Sequence, residues 1–174
     1  GKHLIDVNGA YMQNAPTLRN VFSNSRQNHE VVPNLSEQKT TVLDASYIFR
    51  SPVLKTRLTG YYSGVQDATE ISFYYADGIA NASPTDDSAF VQEALTNIEK
   101  RNIGIEFGAE AQITPTVKLK GAASIGEYIY TNNPNIRLSS DDFVDATGQR
   151  FEINQTAMLE DYKIAGGPQR AANI

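Results

Sequence analysis

Between Asn102 and Ile113 the chain alternates without error: Ile103, Ile105, Phe107, Ala109, Ala111 and Ile113 interleave with Asn102, Gly104, Glu106, Gly108, Glu110 and Gln112. A period of two is that of an extended strand with one dry face. After Thr114-Pro115-Thr116 the alternation resumes, with Val117, Leu119, Gly121, Ala123 and Ile125 on one side and Lys118, Lys120, Ala122, Ser124 and Gly126 on the other. The pattern predicts a hairpin. A connection that sets Ile113 against Val117 also sets Ala111 against Leu119, Phe107 against Ala123 and Ile105 against Ile125. On the opposite face the same register brings Glu110 to Lys120 and Gln112 to Lys118, pairs that stabilise cross-strand neighbours. A shift by one residue would destroy both matches.

An earlier hairpin follows the same arithmetic. Thr41 to Arg50 and Lys55 to Gly64 flank Ser51-Pro52-Val53-Leu54, where Pro52 favours a turn. Setting Arg50 opposite Lys55 aligns Tyr47 with Leu58, Ala45 with Gly60 and Leu43 with Tyr62. His3 to Met12, with Ile5, Val7, Gly9 and Tyr11 on one side, reads as one more strand. Past Gly64 the apolar parity switches to Ile71, Phe73 and Tyr75, which requires a bulge or bend around Val65 to Ala68. Connections alternate in length: residues 51 to 54 and 114 to 116 are tight, whereas Asn14 to Lys39, Asp77 to Arg101 and Thr131 to Glu160 are long and polar. Within the second long connection, Asp86, Asp87 or Ser88 could cap a helix carrying Phe90, Val91, Ala94, Leu95 and Ile98 as a stripe.

Short turns on one side and long loops on the other are the habit of outer-membrane barrels, and strands of about ten residues suit a tilted membrane crossing. The expected fold is therefore all-β: an antiparallel transmembrane β-barrel segment of five or six long strands. Eight strands are the fewest that close such a barrel, so residues 1–174 are expected to be part of one barrel domain. No run is long and apolar enough for a membrane helix, and Gly1-Lys2-His3 is neither an initiator Met nor a signal peptide, which suggests an excised piece. A mean hydropathy of −0.39 suits a soluble protein as well as a barrel. A soluble β-sheet binding module and a passive porin-like channel are the competing readings.

Several stretches carry a resemblance. They are Asn14-Ala15-Pro16, Arg19-Asn20-Val21-Phe22, Asn24-Ser25-Arg26-Gln27-Asn28, and Pro33-Asn34-Leu35-Ser36-Glu37-Gln38-Lys39 just before a strand. Leu58-Thr59-Gly60-Tyr61-Tyr62, Glu70-Ile71-Ser72-Phe73-Tyr74-Tyr75 and Lys120-Gly121-Ala122-Ala123-Ser124-Ile125-Gly126-Glu127-Tyr128 extend it. Together they resemble the middle-to-late barrel region of a TonB-dependent outer-membrane receptor of the Bacteroidota-like kind, though Ser36 stands where that family usually has Pro. The resemblance implies a barrel of about 22 strands with an N-terminal plug, importing a metal chelate, cobalamin or an oligosaccharide. It also implies outer-membrane lipid around the wall, an inner-membrane TonB complex acting through the plug, and in some members a surface lipoprotein. Neither a plug nor a TonB-box segment is visible in these residues.

Catalytic chemistry is thin. With no cysteine there are no disulfides, thiolate metal sites or thiol nucleophiles, and a net charge of −5 argues against nucleic acid. His3 and His29 share no ligand spacing, and Asp86-Asp87 and Asp141-Asp142 lack a calcium-loop pattern. Glu106 and Glu110 stand roughly 13 Å apart along one strand face, too far for a glycosidase pair. The glycines of 104 to 108 alternate within a strand and cradle no phosphate. No enzyme and no cofactor are expected. Tyr61, Tyr62, Tyr74, Tyr75, Tyr128 and Tyr130 fall toward the long-loop ends, where an aromatic girdle belongs. Of these, Tyr74, Tyr128 and Tyr130, beside Asp77, Asn132 and Asn133, form an aromatic-plus-amide mixture suited to a small-molecule ligand such as a sugar or chelate.

Overall fold

The computed structural model describes residues 1–22, 30–79, 88–165 and 167–174. Its elements are β1 (His3–Asn14), a short helix α1 (Leu18–Val21), β2 (Gln38–Arg50), β3 (Leu54–Ala76), β4 (Ala89–Gln112), β5 (Lys118–Tyr130), β6 (Asn135–Ser139), β7 (Ile153–Thr156) and β8 (Arg170–Asn173). The strands form one antiparallel eight-stranded sheet in the order β1-β2-β3-β4-β5-β8, with β6 on the upper part of β4 and β7 on β6. The sheet is not closed into a barrel.

Both expected hairpins form in the expected register. Arg50 pairs with Lys55, Tyr47 with Leu58 and Leu43 with Tyr62. Ala111 pairs with Leu119, Glu110 with Lys120 and Ile105 with Ile125, and the Ile113 N–H donates to the Val117 carbonyl at 2.9 Å. With β1 running alongside β2, the connections after β1, β3 and β5 leave from one end of the sheet and the tight turns lie at the other. The segment 161–173 runs antiparallel to β5: Asp161 N–H donates to Tyr130 C=O, Ile164 N–H to Tyr128 C=O, and Arg170 pairs with Ile125.

The parity switch has a two-part cause. Val65 pairs with Lys100, Ala68 with Ile98 and Glu70 with Leu95, so β3 carries one extra residue and β4 then carries one in return. Asp67 and Asn97 supply the turns, both in left-handed backbone at φ 57°, a region that Asn and Asp enter more readily than most residues. The two bulges cancel, so the ladder continues to Ala76 and Ala89.

The helix expected over residues 86 to 98 does not form. Residues 89 to 98 belong to β4, which also shortens the connection expected from Asp77 to Arg101; Asp86 and Asp87 lie outside the described residues. Here Val91, Gln92 and Ala94 are all buried, so both faces of the strand are covered. A strand buried on both faces loses its period-two signal and imitates a helical stripe. The connection expected from Thr131 to Glu160 likewise contains β6 and β7.

The sheet has two unlike faces below the bulges. Ile5, Val7, Leu43, Leu58, Ile103, Ile105, Phe107, Leu119 and Ile125 share one of them, and all are exposed. The packed core lies elsewhere. Above the bulges Ala89 and Val91 bury against Phe143, with Leu138, Phe151 and Ile153 around them, and the Phe143 and Phe151 rings stack at 5.4 Å.

Candidate functional site

The other face of the lower sheet is polar, because alternate residues on every strand are. Asn8, Asp44, Thr59, Glu106 and Ser124 lie on it, tied by lateral hydrogen bonds. Asn8 Nδ2 donates to Asp44 Oδ1 at 3.1 Å, and the Ser46 and Thr59 hydroxyls meet at 2.9 Å. Arg57 donates to Ser46 Oγ at 3.1 Å and 3.3 Å and to Thr59 Oγ1 at 3.2 Å.

Tyr61 lies across this face rather than standing up from it. A Cβ added to Gly104 or Gly126 would collide with its ring or hydroxyl, so two glycines on neighbouring strands make the bed for one phenol. The Tyr61 hydroxyl reaches the Tyr128 hydroxyl at 2.5 Å. Around this pair Asn8, Asp44, Ser63, Asn102 and Glu106 line an open groove of about 590 Å³. The Oδ1 of Asn102 is buried without a hydrogen-bond partner among the described residues, so an acceptor in the groove is free for a donor from a bound molecule. The groove offers phenol, amide, hydroxyl and carboxylate groups, which suits a hydroxyl-rich or chelate-like solute.

The six residues expected at the site divide. Tyr128 lies in this groove. Tyr130, one turn of the pleat above, has the Lys100 ammonium 5.3 Å from its ring centre. Tyr74 pairs with Val91 well above the bulges and donates to Glu93 Oε2 at 3.2 Å; burial first, and then the Glu93 charge, push its phenol above the ordinary tyrosine value. Asp77 is exposed just past the end of β3. The two amides are engaged with backbone: Asn132 accepts from Glu99 N–H at 3.0 Å and donates to Asn97 C=O at 2.7 Å, holding the β4 bulge. Asn133 accepts from Leu159 N–H and Glu160 N–H, both at 2.9 Å. Tyr74 and Asp77 are therefore far from the Tyr61–Tyr128 groove, and Asn132 and Asn133 serve the loops.

Asn8, Asp44, Tyr61, Ser63, Asn102 and Glu106 were legible only as the polar partners of alternating strands. The hairpin registers, which place Tyr61 beside Gly104 and Gly126, were the signal that could have found them. Asp141 meets Arg150 at 3.0 Å and Asp142 accepts from Phe90 N–H at 3.4 Å, so both have partners within the loops. Among the described residues no group of three metal-ligating side chains comes together, and His29 lies outside them. No protein-family model, curated protein or solved structure matches this chain.

Proposed function

We infer that this sheet is a wall segment of an outer-membrane β-barrel importer of the TonB-dependent type, with its apolar face toward lipid and its polar face toward the lumen. One observation carries the membrane part of this reading. The first charged residue met on the apolar face, moving toward the long-loop end, is Lys39 on β2, Arg101 on β4, Glu127 on β5 and Arg170 on β8. By register these stand in the rows of Gln13, Tyr11, Gly9 and Val7 of β1. The boundary thus falls by six residues over four inter-strand steps, roughly 20 Å against roughly 19 Å, a slope of about 45°. Strands of membrane barrels tilt by about 35–45°, and a flat lipid surface cutting across them would draw such a line. A sheet made to face a protein core needs no slanted boundary.

The tyrosines on this face support the same reading. Tyr11 accepts from Gln13 Nε2 at 3.0 Å and the Tyr62 hydroxyl lies over Gly64, both toward the long-loop end. The Tyr47 hydroxyl meets His3 Nδ1 at 2.6 Å, toward the tight-turn end. Phenols turned outward from the middle of an apolar band are placed as at a membrane interface, ring in the dry zone and hydroxyl in the wet one. Along β4 the band from Ile103 to Ile113 spans roughly 33 Å, or about 25 Å when tilted, the height of an outer-membrane apolar belt.

The importer part rests on the resemblance of the stretches quoted above, and the Tyr61–Tyr128 groove supplies a lumen surface for cargo. A surface lipoprotein and the TonB complex are the partners this reading implies. The test is nutrient uptake through the intact protein in cells before and after the proton-motive force is collapsed. An energised importer loses accumulation on collapse; uptake that continues unchanged would make the barrel a passive channel instead.

A further inference from the structure

Close to the tight turns, the polar face bears a row in which Arg50, Lys55, Glu110 and Lys120 stand side by side across β2 to β5. Lys55, Lys118 and Lys120 converge on the Glu110 carboxylate at 3.4, 3.7 and 3.3 Å. Arg57, one row higher, is held by the hydroxyls of Ser46 and Thr59. Among the described residues neither Arg50 nor Arg57 has a carboxylate partner. Five cations therefore share one carboxylate, in a chain whose net charge is −5. Like charges set directly opposite, as Arg50 and Lys55 are, weaken a sheet, so the row is not explained by stability.

The cations border a hollow. Gly108 and Ala122 form part of its floor, and a Cβ added to Gly108 would meet nothing within 4 Å. This contrasts with Gly104 and Gly126, whose space Tyr61 fills. The hollow is open and about 620 Å³ in volume, and Glu110 is the single acid among the residues lining it. Unpaired guanidinium and crowded ammonium groups around an unfilled depression are a receptor for anions: the guanidinium fork matches a carboxylate or phosphate, and the ammoniums add point charge.

We propose that this glycine-floored hollow binds a small polyanion, carrying several carboxylates or phosphates, at the tight-turn end of the lumen. It deepens the importer reading by naming a cargo chemistry, and its position opposite the long loops makes it the last wall contact before the solute leaves the barrel. The binding itself does not depend on energy coupling.

Calorimetric titration of citrate, and separately of inorganic phosphate, into the detergent-solubilised intact protein tests it. Saturable citrate binding is expected, tighter than phosphate and weakening as salt is raised. The double variant Lys55→Gln/Lys120→Gln should lose at least tenfold in affinity. Gly108→Leu, which keeps every charge and fills the hollow, should lose as much, while Lys100→Gln, whose ammonium meets Glu70 far above, should leave affinity unchanged. Absence of saturable binding to the wild-type protein, or an unchanged affinity in either the lysine double variant or Gly108→Leu, overturns the proposal. A spin label at Ile105 in the same preparations reports lipid exposure, so a failure of the membrane reading registers there and not in the titration.

Discussion

One pair of strands, β3 and β4, passes through two different surroundings. Below the Asp67 and Asn97 bulges it displays Leu58, Ile105 and Phe107 at 45%, 51% and 45% exposure, with no part of the chain above them. Above the bulges Val91 and Ile98 are buried to 0% and 1%, and the chain sends Phe143, Phe151 and Leu138 to cover Val91. The ladder between the strands is the same in both halves. Only the second half buries its apolar side chains as a protein in water does, at about 1.5–3 kcal/mol for each large one. The lower half leaves that stabilisation to something other than its own chain, and lipid supplies it in the proposed reading.

The comparison can be broken or sharpened by substitution. The largest effect is expected above the bulges: Phe143→Ala should cost about 3–5 kcal/mol locally. Hydrogen exchange would then show loss of protection in β6 and at Phe151, whose N–H donates to Phe143 C=O, while β1 and β2 stay protected. Next is Phe107→Arg on the apolar face, expected to cost about 2–4 kcal/mol of folding stability in bilayers. Phe73→Arg, on the continuation of the same face above the bulges, should stay within about 1 kcal/mol because water is on that side. Equal costs at the two positions would erase the distinction between the halves. Gly104→Ala should cost about 1–3 kcal/mol through collision with Tyr61, whereas Gly108→Ala meets open space and should be close to neutral.

The smallest effect concerns pH in the loop between β6 and β7. The Asp145 carboxylate accepts from the Thr147 hydroxyl at 2.6 Å, Thr147 N–H at 2.8 Å and Gln149 N–H at 2.9 Å. These bonds, the Thr147 hydroxyl first, hold its carboxyl below the ordinary aspartate value. A depressed folded value means that the carboxylate's contribution is complete above the ordinary value and is lost as pH falls through the lowered one. The Thr147 and Gln149 amide resonances should therefore move together at a pH below the usual aspartate range, with no change near neutrality.

Much of the lower wall was legible because a period of two, a tight turn and a charge match at Glu110–Lys120 each demanded one register. The bulge near Val65 to Ala68 was legible from parity, but its compensation at Asn97 was not. Around Asn97 the sequence no longer alternates, because β4 is buried on both faces there, and Phe90, Val91, Ala94, Leu95 and Ile98 mimic a helix. Individual groove residues were hidden for another reason. A polar residue on an alternating strand looks alike whether it faces bulk water or a neighbour, and only the glycine bed under Tyr61 sets this group apart. The amides of Asn132 and Asn133 looked free in sequence, yet loop backbone claims them, which no local pattern encodes.

The account turns on a tilted wall with hydrocarbon against one face. Spin labels placed singly along one pairing row, at Val7, Ala45, Ile105 and Ile125 of the intact protein in bilayers, measure this through oxygen and nickel-chelate relaxation. All four should be lipid-exposed, with immersion depth changing steadily from Val7 to Ile125 as the slanted boundary approaches, while a label at Glu106 or Ser124 reports water. Equal depths along the row, or water contact at Ile105 and Val7, would contradict it.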